Sequence, residues 1–389
     1  MKKKVVFVVI MSLILLSFNL PETYADNSYE QFKEKYFVTF KNEVDTDYIR
    51  TKGGEIVQEF DTSPSVLIKA SPETIQKIKN EKEIVSIEFD SEVEISGYED
   101  IDWGSIDIDP QEQLIPWNVD YIDSTYAHQM GLSGQGVKVG IIDSGINPHK
   151  DLKISGGINI LDNNDSYYDG YGHGTKVAGI IGALDNSYGL IGVAPNVELY
   201  SIKVLKSNGK GSISDVVAGI EWAIDNNLDI VNFSLQTTVD NSVLRNAVQK
   251  AYENNILLVA SAGNKGGTKK TDTVTYPAAY DKVISVAAVD KNGERASYSS
   301  TGKRIDISAP GEFVYTTVQS GLYFLADGTS MAAPHVSGVA ALVLDSQPNL
   351  NVEEVRSILL KSKIPLGNPK LYGKGIIDAQ KAIKFSREK

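Results

Sequence analysis

Residues 137–142, 199–204, 230–233, 256–260 and 283–289 are short, predominantly apolar runs rich in Val and Ile. This pattern constrains the fold more than any other. A strand with one wet face alternates apolar and polar residues, whereas a strand covered on both faces reads as a continuous apolar run. Segments 176–183, 212–226 and 242–254 separate several of these runs and carry helical spacing. Strands alternating with helices imply an α/β domain with a mainly parallel central sheet flanked by helices. In such sheets functional groups gather at the carboxyl ends of the strands.

The rest of the 389-residue chain reads as a leader and a second, smaller unit. Residues 1–25 have the order of a secretory signal peptide: Lys2, Lys3 and Lys4, an apolar run over 5–18, then Thr23-Tyr24-Ala25 before a cut. The apolar run is short for a membrane span, which needs roughly 20 residues. Residues 26–99 predict a small α+β unit. Strands at 36–40, 56–60, 65–69 and 84–89 enclose a helix around Tyr48 and Ile49 and another opened by Ser71-Pro72-Glu73, giving the ferredoxin-like order βαββαβ. The stretch 96–111 is acidic and turn-rich, and 100–111 reads as a linker and processing region ahead of a catalytic domain over 112–389. The net charge of −12 argues against nucleic acid or an anionic membrane as the main partner. The absence of cysteine removes disulfides, cysteine-zinc sites and thiol catalysis together.

Three Gly-flanked polar residues stand at element ends. Asp143 closes the first apolar run in Asp143-Ser144-Gly145. His173 opens a helix in Gly172-His173-Gly174-Thr175. Ser330 opens another in Gly328-Thr329-Ser330-Met331-Ala332-Ala333-Pro334-His335. Taken singly, each has a structural explanation as a turn former, a structural histidine or a helix cap. Together they supply the parts of nucleophilic catalysis: a serine that needs a base, a base of suitable pKa, and an acid to orient it. A further core strand ends in Ala262-Gly263-Asn264, an amide able to donate to an oxyanion. Gly134-Gln135-Gly136 precedes the first strand instead of following it, so it cannot set a helix N-terminus on a phosphate.

These motifs, in the order Asp, His, Ser, resemble the signatures of the subtilisin-like serine proteases. The resemblance covers nearly all of residues 112–384. The family is a system on which the triad roles were established, so they are carried over to Ser330 as nucleophile, His173 as base and Asp143 as its orienting acid. By the same resemblance Asn264 donates to the oxyanion and His335 is structural. Substrate is expected to bind as an added strand. Gly209, Lys210 and Gly211 would form one edge of the cleft and Ser234, Leu235 and Gln236 the other, with Ala262 and Gly263 lining the first specificity pocket. Gln236 and Thr275 stand where the family usually has glycine, and Lys265 where it often has an acid. Lys265 at the rim and Thr275 at the floor suggest acceptance of Glu before the scissile bond, with a solvated Lys265 and an apolar preference as the alternative.

The resemblance implies several further expectations. Residues 30–95 would be an intramolecular chaperone and inhibitor, and Glu99 is the expected self-cleavage junction. Calcium would be held by side chains of Gln113, Asp151 and Asn186 and carbonyls of Leu184, Tyr188 and Leu190, six oxygens being a suitable set. A metal-free loop closed by hydrogen bonds is the alternative. The expected product is a secreted, monomeric endopeptidase, with protein or peptide substrates. It would serve either broad degradation or the processing of one precursor, as lanthipeptide leader peptidases do. A non-enzymatic scaffold is disfavoured because every catalytic motif is present.

Overall fold

The structure, a computed structural model, describes residues 33–96 and 112–388. The signal-peptide reading, Glu99 and the linker over 100–111 lie outside the described residues. Strands β1 (Glu34–Phe40), β2 (Glu55–Phe60), β3 (Ser65–Ala70) and β4 (Ile84–Phe89) form a four-stranded antiparallel sheet in the order β2-β3-β1-β4. Its helices start where capping predicts. Asp45 accepts from the Tyr48 N–H ahead of Thr46–Thr51, and Ser71 accepts from the Thr74 N–H ahead of Pro72–Ile78. One face of this sheet buries Val38, Phe40, Val66 and Ile68 under those helices. Phe37, Phe60 and Leu67 bury into the larger domain.

The remaining strands are β5 (Glu92–Ile95), β6 (Lys138–Asp143), β7 (Ile154–Asn159), β8 (Glu198–Lys203), β9 (Lys210–Ser212), β10 (Ile230–Phe233), β11 (Leu235–Gln236), β12 (Leu257–Ser261), β13 (Val283–Val289), β14 (Ile307–Pro310), β15 (Val314–Thr317), β16 (Tyr323–Ala326), β17 (Lys363–Ile364) and β18 (Ile376–Ile377). Nine of them build a sheet in the order β17-β18-β14-β13-β12-β10-β6-β8-β7. Every pair is parallel except β17 with β18. The apolar runs are buried on both faces, as their composition requires. In β12, Leu257 and Val259 join one core cluster while Leu258 and Ala260 join another. Helices His173–Gly182 and Thr329–Ser346 cover the first face, and helices Ile213–Asp225 and Ser242–Glu253 the second. Strand order reverses at β6, whose neighbours β8 and β10 lie on opposite sides. That switch point opens a crevice beyond the strand ends, and Asp143 stands at its lip.

The small unit is docked on the second face by carboxylates set on helix N-termini. Asp90 accepts from the Ser214 N–H at 2.9 Å and the Ser214 hydroxyl at 2.8 Å. Glu88 accepts from the Ser242 N–H at 3.0 Å. Each satisfies first-turn donors that have no partner inside the helix and faces the positive end of the helix dipole. From there the chain continues as β5 between β9 and β11, antiparallel to both.

Candidate active site

His173 Nδ1 lies 2.9 Å from each carboxylate oxygen of Asp143. Both side chains are buried, Asp143 completely. A carboxylate only accepts, so the ring proton sits on Nδ1 and the Nε2 lone pair is free to take one. Two glycines permit this closeness. A Cβ at Gly174 would lie 2.1 Å from the Gly145 carbonyl oxygen and 3.3 Å from the Asp143 Cβ. Gly172, at φ +104°, turns the chain into the helix that His173 begins.

Behind the pair lies a buried brace that the sequence does not announce. The Ser144 hydroxyl lies 3.1 Å from Asp143 Oδ1 and 2.8 Å from Asp169 Oδ1. Asp169 also accepts from the N–H groups of Tyr171, Gly172 and Thr175 and from the Thr175 hydroxyl. It therefore ties the acid loop to the histidine helix.

Ser330 stands in the first turn of Thr329–Ser346, a helix buried from Thr329 through Val343. The Ser330 Oγ and the His173 Nε2 are both buried and have no hydrogen-bond partner among the described residues. Gly328, at φ +144°, locates the reacting centre: a Cβ there would lie 2.7 Å from Ser330 Oγ, 3.3 Å from the Ser96 carbonyl oxygen and 3.5 Å from Asn264 Nδ2. Nucleophile, oxyanion donor and a peptide carbonyl thus converge on one point. Asn264 Nδ2 donates to that Ser96 carbonyl. Its own carbonyl is held by the Thr329 N–H at 3.0 Å and the Thr329 hydroxyl at 2.8 Å, so the amide can present only its N–H₂ to the cleft.

A sequence profile described as the Subtilase family matches residues 134–375. The chain is 40% identical over 356 residues to a "Thermostable alkaline protease" of Halalkalibacterium halodurans, covering 91% of this chain and 93% of that protein. It is 47% identical over 273 residues to "Subtilisin DY" of Bacillus licheniformis, covering 70% of this chain and all of the relative. With "M-protease" of Shouchella clausii it shares 36% over 400 residues, covering 99% and 100%.

The chain belongs to the subtilase family. It is a serine endopeptidase with the subtilisin-like α/β fold, and subtilases act on protein substrates. In this subtilase the residues expected to edge the cleft flank strand β5. Lys210 and Gly211 lie in β9 with Gly209 just before it, and Leu235 and Gln236 form β11 with Ser234 just before it; the Ile95 N–H donates to the Gly209 carbonyl at 3.2 Å and the Ser96 N–H to the Ser234 carbonyl at 3.1 Å. Beside Ser96, a Cβ at Gly263 would meet Thr275 Oγ1 at 2.6 Å, Gln236 Oε1 at 3.0 Å and Ser300 Oγ at 3.1 Å. Ala262 is buried next to it, and the Thr275 hydroxyl lies 3.2 Å from the Ala262 carbonyl oxygen. This flank of the first pocket is polar. The Lys265 side chain is exposed.

Ser234 has a second task that the motif did not reveal. Its hydroxyl donates to the Ser330 carbonyl at 2.8 Å and accepts from Asn232 Nδ2 at 2.9 Å, while the Ser337 hydroxyl donates to Asn232 Oδ1. This chain pins the nucleophile's peptide to β10. His335 is wholly buried between Asn118 Nδ2 at 3.0 Å and the Met331 carbonyl at 2.8 Å, and burial pushes its pKa down to about 3. It stays neutral.

The expected calcium ligands gather in one place. Gln113 Nε2 lies 2.6 Å from the Leu184 carbonyl oxygen and 3.1 Å from that of Leu190. Asn186 Nδ2 lies 3.0 Å from Asp151 Oδ1, and Tyr188 donates its N–H to Asn186 Oδ1 in the same loop. Asp151 is fully buried, which raises its pKa. A Cβ at Gly189 would lie 2.6 Å from Asp151 Oδ2, so the loop needs glycine to close on the carboxylate. As placed, Gln113 and Asn186 turn their N–H₂ groups to these oxygens and close the loop by hydrogen bonds; with both amides turned over, one carboxylate, two amide oxygens and the carbonyls would suit a hard cation.

Proposed function

We propose that this chain is the precursor of a secreted subtilase that cuts itself between Ser96 and Gly97, and whose segment 26–96 then remains as an inhibitor in the cleft. One observation carries the reading: the Ser96 carbonyl sits at the point shared by Ser330 Oγ and Asn264 Nδ2. This reading puts the cut three residues ahead of the expected Glu99, which lies outside the described residues. The chemistry follows from the residues. Ser330 Oγ attacks the Ser96 carbonyl while His173 Nε2 takes the hydroxyl proton. Asp143 stabilises the imidazolium, and Asn264 donates to the oxyanion as it forms. His173 then returns the proton to the Gly97 amine, and water releases Ser96 from Ser330. β5 is already a substrate strand in place, and Asp90 and Glu88 moor it. Expressing the precursor with Ser330→Ala tests the proposal. Wild type is expected to yield two fragments, the smaller ending at Ser96, while the variant stays whole. Splitting of the variant would assign the cut to another protease.

Thr275, Gln236 and Ser300 support a polar first pocket. We propose that it takes Ser, and Glu with help from Lys265 at the rim, in preference to Leu or Phe, as suits a processing protease. A peptide library returning Leu or Phe well above both would instead support broad degradation. The cation-friendly loop supports structural calcium held by Gln113, Asp151, Asn186 and the carbonyls of Leu184, Tyr188 and Leu190. To ligate, Gln113 turns its amide oxygen inward. When bound, the ion would cross-link the loop and compensate the buried Asp151 charge. A melting temperature unmoved by a chelator would refute this. No helix among the described residues is long and apolar enough to cross a membrane. The basic-then-apolar order of residues 1–18 supports secretion.

A further inference from the structure

On the β11 edge of the cleft, the Gln236 side chain reaches back onto the bound strand. Its Nε2 donates to the Glu94 carboxylate at 3.1 Å, and the two residues are paired in register across β11 and β5. Counting back from the Ser96 carbonyl, Glu94 is the third residue before the scissile bond. We infer that this protease recognises a carboxylate at that third position through the Gln236 amide, and so prefers acidic peptides there.

The amide is set for this task. Gln236 is only 7% exposed. Its Oε1 lies 3.4 Å from the Thr275 hydroxyl, whose one proton is shared between it and the Ala262 carbonyl at 3.2 Å. A carboxylate can only accept, so the amide nitrogen must face Glu94. Thr275 and Gln236 both stand where glycine is usual: the amide oxygen lies on the Thr275 side and the amide nitrogen reaches the bound strand. An aliphatic residue at the third position would leave that N–H without its partner beside a largely covered surface. The opposite edge contributes sign. Lys210 lies across from Glu94 in register and pairs with Glu92, at the fifth position, at 2.8 Å. Both members of that pair are about half exposed, so it contributes attraction but little specificity. Val93, between the two acids, points the other way into the core cluster. The cleft therefore reads acid, apolar, acid along the strand.

The inference rests on the junction proposed above, and the test separates the two. The mature enzyme, released by its own processing, is assayed on quenched peptides Glu-Val-Xaa-Ile-Ser-Gly-Tyr-Glu with Xaa as Glu, Gln or Leu. A hydrogen bond to a charged group at a half-covered site predicts kcat/KM about tenfold higher for Glu than for Leu. In Gln236→Leu the Glu-to-Leu ratio should fall to near one. The ratio is taken within each enzyme, so general damage by the substitution cancels. A ratio near one in wild type, or one unchanged in Gln236→Leu, overturns the inference. The mass of the released prosegment marks which reading fails. An end other than Ser96 refutes the junction and the inference together, whereas an end at Ser96 with a flat ratio refutes the inference alone.

Discussion

Replacing Thr329 by Val tests whether the oxyanion donor is aimed or merely present. Valine keeps the branched shape and removes the hydroxyl. Asn264 Oδ1 then keeps the Thr329 N–H at 3.0 Å and loses the hydroxyl donor at 2.8 Å. The Gly263 N–H loses its acceptor, the same hydroxyl, at 3.1 Å. A neutral hydrogen bond contributes about 1 kcal/mol, so the amide should spend roughly fivefold less time aimed at the cleft. The interaction strengthens as the carbonyl becomes an oxyanion, so the loss should fall on kcat, by about five- to tenfold, with KM little changed. The buried Gly263 N–H costs about 1–3 kcal/mol of stability, which lowers the melting temperature by several degrees. Thr329→Ser, which keeps the hydroxyl, should recover kcat. Steady-state kinetics on one peptide and a thermal melt are sufficient. A Thr329→Val enzyme with wild-type kcat and a lowered melting temperature would refute the aiming argument and leave Thr329 a stabilising residue only.

Gly328→Ala should abolish self-cleavage, with at least about a hundredfold loss, because its Cβ would crowd Ser330 Oγ at 2.7 Å in a backbone region that favours glycine; the uncut precursor on a gel reads this directly. His335 folds neutral, with its pKa lowered from 6.5 to about 3 by burial. The unfolded chain takes up a proton that the folded chain refuses, so this contribution is present above pH 6.5 and is lost as pH falls toward 3, by on the order of 5 kcal/mol in all. His335→Gln should flatten the acid limb of a stability-against-pH curve over that window. Asp90→Ala removes the acceptor for the Ser214 N–H and hydroxyl, so the cleaved prosegment should be held about tenfold less tightly. The lag between cleavage and the appearance of activity should shorten.

The central sheet was legible because burial on both faces leaves a strand few polar positions to hide it. β10 and β13 fall on the residues that the apolar runs marked, and β6, β8 and β12 shift by one residue. β7 was missed because Gly156 and Gly157 interrupt it. Those glycines make room for its neighbour, since a Cβ at Gly156 would lie 3.1 Å from the Tyr200 ring. β5 was hidden for a different reason. Its alternation, Glu92-Val93-Glu94-Ile95, lasts only four residues, and its partners lie far along the chain, Glu94 meeting Gln236 and Lys210. The triad stood out through its flanking glycines. The braces behind it did not, because Asp169, Asn232 and Ser234 are residue types that any turn or strand end would use. The third-position contact was half visible: Gln236 was recognisable as a departure, but the direction of its amide shows only against Glu94 in the structure.

The placement of β5 between β9 and β11 has a consequence for what the enzyme can digest. When that strand leaves, two edges are left with unpaired backbone groups facing each other across the cleft. A visitor can satisfy both only if its own N–H and C=O groups are unengaged over several consecutive residues. Helices and sheet strands have already committed theirs. The cleft is thus a detector of backbone freedom before it is a reader of side chains, and a compact protein is cut only as fast as its loops unravel. The same rule protects the catalytic body from its own copies. Under the proposed self-cleavage, β5 meets the requirement because no other described strand of the small unit pairs with it.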